Sequence, residues 1–138
     1  MGSVEPSPKR IAAFAADADA GDAIVMINLL RYRDRAAYPR GSDAQPCSGR
    51  EAYQRYAARV TPILAEVGGR IVWFGNVKHT VIAPDGEEWD DAILVAYPSR
   101  AAFLGMVSRS DYQQAAVHRT AALADSRLIA TTTALSQF

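Results

Sequence analysis

Three features of the sequence predict an α+β fold. Residues 23–32 are apolar on both alternating faces, residues 48–67 carry one long amphipathic helical repeat, and residues 70–97 hold two β-rich runs joined by turn residues. A helical crossover and a final run with alternating Thr close the chain. After an opening helix the order is therefore β-α-β-β-α-β, the split β-α-β arrangement of ferredoxin-like folds: a four-stranded antiparallel sheet with helices on one face.

The elements follow in order. Ser7-Pro8 pairs an N-cap with proline at the first helical position, and Ile11, Phe14 and Ala15 form one stripe, so a short accessory helix is expected at about 8–18. The stretch AIVMINLLRY, from Ala23 to Tyr32, reads as a central strand covered on both sides. Residues 33–47 mix Arg, Asp, Pro and Gly without periodicity, which predicts an exposed lid or dimer-clasping arm, with Cys47 in an open Pro-Cys-Ser-Gly loop. Ser48 to Glu51 has capping-box spacing, and Tyr53, Tyr56, Val60, Ile63 and Val67 recur at helical intervals. Pro62 is expected to kink or break this helix, and Gly68-Gly69 to end it.

Arg70 to Ala83 reads as a long strand, and Pro84-Asp85-Gly86 as the turn into a second strand from Asp91 to Tyr97. Ser99 caps a short helix through Phe103 and Met106, and Ser110 to Gln113 offers a second capping box opening a helix to about Ala124. Arg127 to Leu135 is the last strand. Residues 1–22 then form a tail with the accessory helix and 23–138 one ferredoxin-like domain, since 138 residues supply one core rather than two. The two-sided apolarity of the first strand asks for a cover on the face opposite the helices, and a second subunit's sheet is the simplest one.

Lys plus Arg number 15 and Asp plus Glu 15, so no global field draws nucleic acid or an anionic membrane surface. The positive charge is nearly all Arg, with Lys only at Lys9 and Lys78, and five Arg fall between Arg31 and Arg50. Arg suits planar, bidentate recognition of a carboxylate or phosphate. One cysteine excludes an internal disulfide framework, and no apolar signal or membrane-length segment is visible, which fits a cytoplasmic location. Two His and one Cys at these separations lack zinc-ligand spacing, so no metal site is expected.

From about Ala23 to Thr133 the chain resembles the DUF1330 family of the dimeric α/β-barrel superfamily. The stretches VMINLLRYR, SGREAYQRY, EVGGRIVWFG, EEWDDAILVAYPSRAAFLGMV and SDYQQAAVHRTAALADSRLIA carry the resemblance. It implies a ferredoxin-like fold and a homodimer whose sheets face each other as a dimeric α/β barrel, without implying an activity. Superfamily relatives include cofactor-free monooxygenases, an isomerase, haem-degrading enzymes and chlorite dismutases, so one scaffold hosts several chemistries. The loop at 33–47 departs from shorter members.

Several residues stand out. Asn28 interrupts an apolar strand, and a buried amide must bond either to the fold or to a ligand. Arg119 falls on the apolar stripe of the last helix and needs a carboxylate, in the acidic turn Glu87 to Asp91, or an anionic ligand. Arg31 offers a second positive group at the same mouth. His79, in the second strand, and His118, beside Arg119, are the candidate general bases. Tyr56, Trp73, Trp89 and Tyr112 are core or interface aromatics, or a wall for a flat organic ligand.

No Ser-His-Asp order, phosphate loop or catalytic carboxylate pair appears. The leading expectation is a site for an anionic or aromatic small molecule, supporting cofactor-free oxygenation or isomerisation, with a non-catalytic binding module as the competing class. A further alternative is haem binding or degradation, which some superfamily relatives achieve with an Asn in the first strand, a Trp and a helical His, matched loosely here by Asn28, Trp89 and His118; no cofactor is otherwise expected.

Overall fold

The computed structural model describes residues 2–17 and 21–137. Its elements are α1 (Pro8–Ala16), β1 (Ile24–Tyr32), α2 (Gly49–Glu66), β2 (Arg70–Asn76), β3 (Asp91–Tyr97), α3 (Arg100–Val107), α4 (Ser110–Ala122) and β4 (Leu123–Thr131). The strands pair antiparallel in the order β2-β3-β1-β4, the ferredoxin-like sheet that the element order predicts. Among the described residues no helix is long and apolar enough to cross a membrane.

Strand alternation divides the sheet. Ile24, Met26 and Leu30 of β1 are buried beneath the helices, while Val25, Ile27 and Leu29 face the other way and are only partly covered. On the helical side two clusters form. Met26, Ile63, Leu64, Tyr97, Phe103 and Met106 make the first, and Phe14 of α1 packs edge-on to Phe103 at 5.7 Å. Leu30, Cys47, Ala52, Ile93, Ala122 and Leu123 make the second. Burying one side chain the size of Leu30, which is 0% exposed, stabilises the fold by roughly 1.5–3 kcal/mol.

The caps at Ser7, Ser48 and Ser99 form, and Ser48 and Glu51 exchange both bonds of a capping box. Gly68, with φ 80°, takes the left-handed conformation that ends α2.

Several local expectations need correction. The accessory helix stops at Ala16, and residue 18 lies outside the described residues. Pro62 does not break α2, which runs through it on an exposed face where water can serve the carbonyl left without a donor. Ser110 is the first residue of α4 rather than its cap; Arg109 holds the cap position, with no side-chain bond. Helix α4 ends at Ala122 and β4 begins at Leu123, so the last strand starts four residues earlier than its Thr pattern indicates.

The second strand ends at Asn76 instead of Ala83. The Pro84 turn does form, with Glu87 N–H on the Pro84 carbonyl at 3.1 Å, but residues 77–90 are an irregular excursion. High β-propensity at Val81 and Ile82 is overruled because those side chains are 88% and 95% exposed and bury nothing.

Loop 33–47 is anchored rather than free. Gly49 N–H bonds the Arg33 carbonyl at 3.0 Å, Ala36 N–H the Cys47 carbonyl at 2.9 Å, and Ala37 N–H the Ala121 carbonyl at 2.8 Å. Cys47 is buried in the second cluster, not displayed in an open loop, because these bonds draw both ends of the loop onto the core.

Candidate functional site

Between sheet and helices lies a polar seam that an apolar core would not need. Its fixed point is Asp91, the first residue of β3 and fully buried. One carboxylate oxygen accepts from the Tyr32 hydroxyl at 2.5 Å and from Arg50 Nη1 at 3.0 Å; the other accepts from Asn76 Nδ2 at 2.9 Å. The Arg50 guanidinium also lies 4.7 Å above the Tyr32 ring. Burial, and then the bond to Asp91, push the Tyr32 phenol far up, so it stays a donor. Every member of this network has its partner, which makes it structural.

An aromatic shelf continues from Tyr32. Tyr53 sits between Tyr32 and Tyr56, with ring centroids 5.6 and 5.2 Å away, and the Tyr56 and Tyr112 hydroxyls meet at 3.0 Å. Tyr53 packs against the Leu30 cluster and Tyr112 against the Met26 cluster, and Asn28 lies between Met26 and Leu30 on the same side of β1. Arg119 reaches this group electrostatically: burial pushes the Tyr53 phenol up to about 12, and the Arg119 charge partly opposes that rise. Tyr56 is also held well above the ordinary phenol range, by burial first.

The seam retains unused polar capacity. Among the described residues the Tyr53 hydroxyl has no hydrogen-bond partner. Asn28 Nδ2 reaches the carbonyls of Met26 and Ile93 only at 3.4 Å each, and among the described residues its side-chain oxygen has no donor. Arg119 does not pair with the acidic turn. Its Nη1 donates to the Val4 carbonyl at 2.7 Å, because the N-terminal segment, rather than residues 87–91, runs beside this part of α4, where the Thr120 hydroxyl also donates to Glu5. Three acids of that turn are engaged elsewhere, Glu87 with Arg127, Asp90 with the Tyr32 N–H and Asp91 with Arg50.

Of the candidate ligand contacts, Tyr56 and Tyr112 meet and Arg119 lies within electrostatic reach of Tyr56, while Asn28 shares the helix-covered sheet face and bonds only to β-strand carbonyls; the remaining candidates lie elsewhere. Arg31 is exposed on the opposite sheet face, in register with Asp125. Trp73, 45% exposed, lies on that face too, with its indole folded over Gly75, where a Cβ would come within 2.3 Å of the ring. Trp89 sits in the 77–90 excursion beneath the Arg127 guanidinium, 5.0 Å from its ring centroid. His79 is exposed in that excursion, beyond the end of β2, since the strand stops three residues before it. Asn28, Trp89 and His118 occupy three separate places, so the residues that loosely match haem proteins do not form one site. Sequence reasoning missed Tyr53 and Asp91; the signal for Tyr53 was its position one helical turn before Tyr56.

His118 belongs to a second place, on the outer side of the helices. Loop 33–47, α2 and α4 enclose an open groove of about 570 Å³, lined in part by Tyr38, Asp43, Arg55, Arg59, Gln114 and His118. The Tyr38 hydroxyl stands 2.6 Å from His118 Nδ1 and receives Arg55 Nη1 at 3.1 Å. Partial burial, then the Arg59 and Arg55 charges, hold the His118 imidazole below its ordinary pKa. Among the described residues no group of three or more His, Cys, Asp or Glu is arranged to hold a metal ion.

The model of the domain of unknown function DUF1330 matches residues 47–132, more than half of the chain. The chain belongs to the DUF1330 family. No protein of curated function matches it. This DUF1330 chain is similar to the RPA0582 protein of unknown function from Rhodopseudomonas palustris, with 38% identity, coverage of 99% of this chain and 100% of that one, and a TM-score of 0.89. A dimeric, ferredoxin-like protein of unknown function from Bacteroides fragilis shares 12% identity over 80% of this chain and 96% of that one, at a TM-score of 0.51. A hydroxynitrile lyase from Passiflora edulis shares 11% identity over 84% of this chain and 97% of that one, at 0.55. The last two likenesses show the fold alone.

Proposed function

We propose that this DUF1330 protein is a homodimer that binds a small organic acid, or an aromatic metabolite bearing a carbonyl or acid group, between its sheet and helices. The observation that carries this reading is the unpartnered Tyr53 hydroxyl, set among aromatic rings with the Arg119 charge in reach. Among the described residues no buried side-chain oxygen or nitrogen lacks a partner, so this hydroxyl opens onto solvent, where a ligand oxygen can take the place of water. Arg119 supplies the countercharge, Asn28 a free amide oxygen, and the Tyr rings a flat wall. Oxygenation or isomerisation would also require a base beside these groups. Neither histidine stands there, so binding is the activity the seam supports.

The dimer reading rests on the uncovered sheet face, where Trp73 and Ile129 are 45% and 49% exposed, and on the dimeric state of the Bacteroides protein. Light scattering should give twice the chain mass, and Ile129→Asp should halve it; a monomer at micromolar concentration sinks the dimer.

The binding test is calorimetric titration with benzoate. Wild-type protein should bind it saturably, and Tyr53→Phe and Arg119→Met should each weaken binding roughly tenfold, the value of one charge-assisted hydrogen bond. Benzoate that fails to bind, or binds the Tyr53→Phe protein equally well, ends the proposal.

A further inference from the structure

We infer that the outer groove walled by loop 33–47, α2 and α4 is a second ligand site, built for the phosphate of a small phosphate monoester. Arg55 and Arg59 stand one turn apart on α2, and Gln114 and His118 one turn apart on α4, so two helical faces present their polar ends to one groove of about 570 Å³. That volume suits a small molecule.

Hydrogen-bond accounting leaves nitrogens facing the groove. The Tyr38 hydroxyl accepts from Arg55 and meets His118 Nδ1 at 2.6 Å, a bond that either the phenol or the imidazole can donate. His118 Nε2 has no partner among the described residues. Arg59 and the Gln114 amide have none either. Arg55 spends only Nη1, on Tyr38 and on the Gln45 carbonyl at 2.9 Å. Arg55, Arg59, Gln114 and His118 thus turn nitrogens toward one groove from two helices, and the three splayed oxygens of a phosphate can be met from both sides at once.

Asp43 also lines the groove, and its single negative charge is outweighed by two guanidiniums. Next to the groove lies a mostly apolar hollow of about 310 Å³, lined by Ala37, Pro39, Ala116 and Ala121 together with Glu5, Gln113 and Thr120, and sharing Val117 with it; Glu5 is engaged by the Thr120 hydroxyl at 2.5 Å. It gives the rest of the ligand an apolar seat beside the phosphate. The site stands apart from the seam that holds Tyr53, so the two proposals fail separately.

The test titrates phenyl phosphate and inorganic phosphate into the full chain, by calorimetry and by the side-chain nitrogen shifts of His118. Phenyl phosphate should bind saturably, more tightly than inorganic phosphate, and move the His118 resonances. Arg59→Ala should weaken it at least about tenfold, with Arg59→Lys restoring part. The Arg59 side chain makes no bond within the fold among the described residues, so the unfolding midpoint and benzoate binding at the seam should not change. No saturable binding at millimolar phenyl phosphate, equal binding by Arg59→Ala, or displacement by a short oligonucleotide at lower concentration than phenyl phosphate would each overturn the assignment.

Discussion

The two ends of the polar seam are built from the same kinds of residue and do opposite things. At the Asp91 end a buried carboxylate is met by a phenol, a guanidinium and an amide within 3.0 Å, and nothing is left over. At the Tyr53 end, among the described residues, a phenol and an amide oxygen lack partners and an arginine is held by one backbone carbonyl. A fold fills the hydrogen-bonding capacity it uses for stability. At the Tyr53 end the spare capacity opens onto solvent, since no buried side-chain oxygen or nitrogen among the described residues lacks a partner.

The largest expected effect would break this contrast at its structural end. Asp91→Ala removes a buried acceptor from three donors and should cost about 3–5 kcal/mol in a denaturant melt. A loss below about 1 kcal/mol, the scale of a single ordinary hydrogen bond, would mean the network is ornamental. Arg119→Met should be far gentler, at about 1 kcal/mol, because a long aliphatic side chain replaces a half-buried one whose sole fixed partner is a carbonyl. A loss as large as that of Asp91→Ala would move Arg119 into the structural class and out of the proposed site. Tyr53→Phe should leave the melt within about 0.5 kcal/mol, since the hydroxyl it deletes bonds to nothing in the fold.

The smallest effect lies outside the seam and concerns titration. His118 is depressed below its ordinary value of 6.5 by burial and by Arg59 and Arg55, with Tyr38 and Asp43 as its other polar neighbours in the groove. As pH falls through that value the unfolded chain takes up a proton before the folded chain does, so stability declines until the folded pKa is passed. An imidazole that titrates at or above the ordinary value by proton NMR would contradict this surround. Replacing Arg59 with Ala should raise the His118 pKa without altering the Tyr53 end.

Much of the fold was legible because local patterns and tertiary packing agree. Two-sided apolarity marked β1 as central, the Ser48 capping box set the start of α2, and Gly68 set its end. Where they disagreed, packing prevailed. Val81 and Ile82 have strand propensity but no partner strand, and the 33–47 loop looks free in composition yet is pinned by three backbone bonds. Cys47 shows the same limit, because an open-looking Pro-Cys-Ser-Gly stretch says nothing about what its neighbours in space will cover.

The sequence alone determined the element order, the sheet with helices on one side, and the residue types of the polar seam, because periodicity and capping act over a few neighbouring residues. Only the tertiary structure decided which of those types meet. Asn28, Tyr53, Tyr112 and Arg119 come from β1, α2 and α4, and whether an arginine faces an acid or a carbonyl depends on chain segments more than a hundred residues apart, as with Arg119 and Val4. Partnering is a property of distance in space, which one-dimensional spacing does not encode.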